Sequence, residues 1–69
     1  MPHVTITMIP GRNREQKKSL AGQVQKLLCT ELQIDEKFVS VSIEDIAKEN
    51  WQESMEKFSD DIMYVKPGV

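Results

Sequence analysis

The chain has 69 residues, a formal net charge of −2, one cysteine and one histidine, which points to a single domain spanning residues 1–69. Cys29 has no partner for an intrachain disulfide, His3 and Cys29 alone cannot build a zinc site, and the acidic balance is wrong for a general nucleic-acid binder. No apolar run of membrane-spanning length and no secretory leader is visible, so a cytoplasmic protein without membrane contact is expected. A core of this size supplies only roughly 3–5 kcal/mol, so with no disulfide or metal available, self-association is the expected source of further stability.

In chain order, "HVTITMI" (residues 3–9) alternates. Val4, Ile6 and Met8 point one way and His3, Thr5, Thr7 and Ile9 the other, which is the period of a strand. Pro10 and Gly11 suit the central positions of a type II turn. Asn13 followed by Gln16 has the form of a helix capping box. From Arg14 to about Gln33, Leu20, Ala21, Val24, Leu27, Leu28 and Leu32 form one helical stripe, with Gly22 outside it and Cys29 at its boundary. Val39, Val41 and Ile43 alternate with Ser40 and Ser42 in a second strand.

Strand, long helix, strand predicts a right-handed βαβ unit with parallel strands. Two strands alone do not make a stable sheet, so dimerisation is expected to complete it. In the tail, Trp51, Met55, Phe58 and Ile62 are spaced by four, three and four, and Asn50 with Glu53 repeats the capping-box pattern. A short C-terminal amphipathic helix is expected there, then irregular chain with a Pro67–Gly68 turn. The fold class is therefore α/β.

Charge is uneven along the chain. "RNREQKK" (residues 12–18) carries Arg12, Arg14, Lys17 and Lys18 against Glu15, whereas residues 44–61 are mostly acidic. The basic stretch is either a solvated helix face or a local field that attracts a small anion. Pro2 also has two readings. Proline is tolerated where a strand begins. Behind an initiator methionine that is removed, it also becomes a secondary amine held at a strand end.

Pro2, Gly11–Arg12, the "EQKK" of the first helix, and "VSV" followed by the aromatic Trp51 together resemble the 4-oxalocrotonate tautomerase family, over most of residues 2–51. "ENWQ" and the closing "KPG" are most similar to the PptA group of small tautomerases. The resemblance implies a cofactor-independent keto–enol tautomerase acting on a small enol or 2-oxo acid. It implies Pro2 as the catalytic base once Met1 is removed, with Arg12 binding the substrate's anionic end and Trp51 lining the pocket. The family's best-known members carry a second arginine in the second strand. Ser40 stands there in this chain, and as a candidate substrate-binding residue it argues against a diacid substrate.

The chemistry suits these residue types. A base works best with a pKa near the working pH, and burial beside a guanidinium lowers that of an amine. The proline ring fixes the direction of the lone pair, and arginine grips a carboxylate through two parallel hydrogen bonds. Moving one proton requires neither metal nor organic cofactor. Alternatives are a non-enzymatic βαβ oligomerisation or interaction module, and a Pro2-dependent dehalogenase or decarboxylase. His3 is read as a residue of the sheet surface facing away from the helix, together with Ser40.

Overall fold

The computed structural model describes residues 1–68. Strand β1 (His3–Met8), helix α1 (Arg14–Leu32), strand β2 (Ser40–Asp45) and helix α2 (Trp51–Met55) follow in that order. Single 3₁₀ turns lie at Glu36–Phe38, Lys48–Asn50 and Asp60–Ile62. The strands pair in parallel, with His3 opposite Ser40 and Met8 opposite Asp45, and α1 makes the crossover and packs on β2. This is the expected βαβ unit with a short C-terminal helix.

The β1–α1 connection differs from the expected type II turn. Pro10 marks a bend, and Gly11 has φ 145, well beyond the roughly +80° of that turn. Glycine is still the residue that such a conformation favours. The capping box forms as its residues suggest: the Asn13 side chain accepts from the Gln16 N–H at 2.8 Å, and the Gln16 side chain accepts from the Asn13 N–H at 3.0 Å. At the other end Gln33 adopts a left-handed conformation (φ 54, ψ 52), and its N–H and that of Ile34 both reach the Cys29 carbonyl. These bonds satisfy a helix-end carbonyl and stop α1.

The helix stripe is only partly covered. Ala21, Val24 and Leu28 are half-buried, but Leu20, Leu27 and Leu32 are exposed, Leu27 by 62%. Gly22, expected outside the stripe, borders a cleft of about 180 Å³ together with Ala21, Gln25, Val39 and Val41, and a Cβ added there would meet no atom within 4 Å. The reason is geometric. Two strands span about 5 Å between their axes, whereas a helix with side chains is about 10–12 Å across. The sheet is too narrow to cover the apolar face. Polar groups share the contact: Lys17 Nζ meets Asp45 Oδ2 at 2.7 Å, and Gln25 Nε2 donates to the Glu36 carbonyl at 3.1 Å.

The second expected capping box does not form. Asn50 belongs to a 3₁₀ turn with φ −103 and ψ 0, and its side chain makes no capping bond. An N-cap side chain reaches forward from an extended backbone, which Asn50 lacks. Helix α2 ends at Met55; Trp51 and Met55 are half-buried, but Phe58 and Ile62 are exposed. Pro67 and Gly68 lie in irregular chain, and the nearest bend is at Tyr64–Val65.

Among the described residues only Val39 is buried, at 8% exposure. The chain exposes 5977 Å², against about 4,400 Å² for a compact monomer of its mass. Its radius of gyration is 13.5 Å, against about 11 Å for a compact domain of this length.

Candidate active site

Alternation puts Val4, Ile6 and Met8 of β1 on the same face as Val41 and Ile43 of β2, and that face lies under α1. The opposite face carries His3, Thr5, Ser40 and Ser42. In-register pairing makes these side chains neighbours. His3 Nδ1 and Ser40 Oγ are hydrogen-bonded at 2.6 Å, His3 Nε2 and Ser42 Oγ at 3.0 Å, and Thr5 Oγ1 and Ser42 Oγ at 3.1 Å. One imidazole thus bridges two hydroxyls of the neighbouring strand, and a third hydroxyl extends the row.

Pro2 sits immediately before β1 and is half-buried. Its carbonyl accepts from the Ser40 N–H at 3.3 Å, so the proline backbone is tied to the first residue of β2. Pro2, His3 and Ser40 therefore meet at one end of the sheet. Val39, the most buried residue, directly precedes Ser40 on this side.

Arg12 and Trp51 lie at the other end. Arg12 is exposed in the connection that leaves β1, and Trp51 begins α2 after β2 has finished. A six-residue strand separates that end from Pro2 by about 20 Å. The four candidate residues thus divide into two groups, Pro2 with Ser40 and Arg12 with Trp51. The basic segment belongs to the second end. Arg14, Lys17 and Lys18 border a cleft of about 360 Å³ floored by Val41 and Ile43, and Asp45 neutralises Lys17. A second cleft of about 430 Å³, bordered by Glu44, Asp45 and Glu53, lies beyond the same strand end.

The row joining His3, Ser40, Ser42 and Thr5 was not foreseen. Its signal in the sequence is that every polar position of "HVT" and "SVS" is a hydrogen-bonding side chain; the missing information was the register. No group of three or more His, Cys, Asp or Glu among the described residues could hold a metal ion. No helix among them is long and apolar enough to cross a membrane.

The family model for tautomerase enzymes matches residues 2–60. A probable tautomerase of Bacillus cereus is 35% identical over 60 residues, covering 87% of this chain and 98% of the relative. A 2-hydroxymuconate tautomerase of Comamonas testosteroni is 39% identical over 51 residues, covering 74% of this chain and 81% of the relative. Among solved structures, one from a study of the 4-oxalocrotonate tautomerase isozymes of Methylibium petroleiphilum superposes with a TM-score of 0.68 at 34% identity, covering 72% of this chain and 81% of that one.

Proposed function

Because the chain belongs to the 4-oxalocrotonate tautomerase family, and is thus an enzyme that interconverts keto and enol forms, we propose that it acts on a small enol or 2-oxo acid with the Pro2 amine as general base. The amine takes the enol hydroxyl proton and returns it to carbon. This requires removal of Met1, since an amide nitrogen has no basic lone pair. The observation that carries the reading is the position of Pro2: half-buried at the head of β1 and tied to Ser40 by its own carbonyl. An amine held this way has a fixed direction, which is what a proton-transfer base needs.

Arg12 and Trp51 stand a strand length from Pro2, so within this reading they serve the Pro2 of a neighbouring chain or the remote end of a long substrate. The neighbouring chain is favoured by the surface left uncovered. The excess over a compact monomer is on the order of 1,500 Å², and one protomer's share of a standard interface is about 800 Å². A carboxylate-bearing substrate would meet Arg12 through a bidentate contact, and Trp51 would exclude water from the reacting carbon. Membership of an enzyme family weighs against the interaction-module alternative. Ser40 in place of an arginine weighs against substrates with a second carboxylate at the Pro2 end, and against the dehalogenase and decarboxylase readings.

The test pairs intact-mass measurement with ketonisation of an arylpyruvate enol. Activity should track the fraction of chains lacking Met1. Loss of a general base lowers kcat by roughly 10²–10⁴. Pro2→Ala, which keeps an amine but changes its basicity and direction, should fall somewhat short of that. Full activity in a sample that wholly retains Met1 overturns Pro2 as the base.

A further inference from the structure

The row of hydrogen bonds on the open face of the sheet has an end at Ser40, the residue bonded to Pro2, and its polarity decides what Ser40 can do. A neutral imidazole donates from one nitrogen and accepts at the other. If Nε2 carries the proton, it donates to Ser42 and Nδ1 accepts the Ser40 hydroxyl proton. Ser40 can then offer only lone pairs. If Nδ1 carries the proton, the order reverses: Thr5 donates to Ser42, Ser42 to Nε2, and Nδ1–H to Ser40 Oγ. Ser40 then has its own proton free to give. The distances fit a continuous chain in either direction, the shortest being the 2.6 Å contact between His3 and Ser40.

We propose that His3 is a positioning residue that holds Ser40 as the hydrogen-bond donor to the substrate oxygen, within the Pro2-dependent reaction described above. Donation from Nδ1–H into Ser40 Oγ polarises the Ser40 hydroxyl, since bonds in a chain strengthen one another. As the enol proton moves to the Pro2 amine, negative charge develops on the substrate oxygen. A polarised hydroxyl aimed at that charge stabilises it without itself giving up a proton, and the proton balance of the reaction is unchanged. The row holds hydroxyls and an imidazole, with no guanidinium. It therefore suits the uncharged carbonyl or enol oxygen and offers no partner for a second carboxylate, which makes the substrate class a mono-acid 2-oxo compound whose one carboxylate, bonded to the carbon bearing that oxygen, takes its cation from outside the row, as from the Arg12 of a neighbouring chain.

The position of the imidazole proton can be read directly. Nitrogen NMR of labelled protein at alkaline pH should report the Nδ1–H tautomer; the Nε2–H tautomer overturns the proposal, because Ser40 is then committed to His3. Kinetics on an arylpyruvate enol provide a second readout. His3→Ala should lower kcat about tenfold with little change in KM, the size expected for one hydrogen bond. His3→Asn places a donor near the Nδ1 position and should recover most of kcat, whereas His3→Gln, which reaches Ser42 instead, should not. Ser40→Ala should match His3→Ala, and the double variant should be no worse than either. Equal recovery by Asn and Gln, or effects that multiply in the double variant, shows that His3 does not act through Ser40. Impaired Pro2→Ala beside unimpaired His3→Ala overturns this proposal alone. Pro2→Ala with parental kcat overturns the base assignment and the proposal with it.

Discussion

At the scale of single residues, what matters is which groups hold position and which are free. Pro2 and His3 are both fixed through Ser40, one by its backbone and one by its ring. Arg12 has the opposite character: exposed, in a connection entered through a bend and a positive-φ glycine. Its loss should therefore leave stability nearly unchanged, because an exposed charge contributes little to the fold. Its effect should appear in binding. Arg12→Ala is expected to raise KM for a carboxylate-bearing enol about tenfold, with a smaller effect on kcat, since a ground-state carboxylate is gripped as firmly as the transition state. Steady-state kinetics beside a thermal melt check this. Parental values for both constants would remove Arg12 from the site.

At the scale of elements, α1 depends on its ends more than on its packed face. The helix has no buried residue; an ion pair ties it to β2 and a side-chain-to-carbonyl bond ties it to the 3₁₀ turn at Glu36–Phe38. The Lys17–Asp45 pair is partly exposed, so it adds a modest contribution at most. The capping box at Asn13 is a local interaction that persists whatever the rest of the surface does. Asn13→Ala should destabilise the protein by about 1 kcal/mol, read as a lower midpoint in urea at unchanged slope. Asn50→Ala should be near neutral by the same measurement, because the Asn50 side chain makes no capping bond. Equal losses at the two positions would contradict this account of how the helices begin.

At the scale of the whole molecule, the single chain is an incomplete solution to its own hydrophobic pattern. One residue is buried among those described, while Leu27, Leu32, Phe58 and Ile62 all remain exposed. A two-stranded sheet has two open edges, and the lengthwise separation of Pro2 from Arg12 and Trp51 leaves each end with half of the proposed site. Size-exclusion chromatography with light scattering at micromolar concentration should show at least a dimer, and the melting temperature should rise with protein concentration, since association stabilises the folded chain by mass action. Mixing Pro2→Ala with Arg12→Ala chains, after exchange of subunits, should restore activity at low substrate that neither variant has alone. A stable monomer, or no restoration on mixing, would return Arg12 to the remote end of a long substrate.

The local rules were legible in the chain itself. Period-two alternation in residues 3–9 and 39–43, the Asn13–Gln16 box and the helical spacing from Leu20 to Leu32 identified β1, α1 and β2, because each rests on interactions a few residues apart. The same rule failed at Asn50, where a preceding 3₁₀ turn removed the backbone geometry that a cap requires. It was also incomplete along α1: spacing defines an apolar stripe, but the width and offset of the sheet beneath decide which part of the stripe is covered. The site divides in the same way. Pro2, Arg12, Ser40 and Trp51 are singled out by the family resemblance, and the length of β1 alone sets Arg12 a strand away from Pro2, whereas the meeting of Pro2 with Ser40 and the bridge from His3 to Ser40 and Ser42 follow from strand register. Register relates residues more than thirty positions apart, so it is decided by how the whole βαβ unit packs and not by any local pattern.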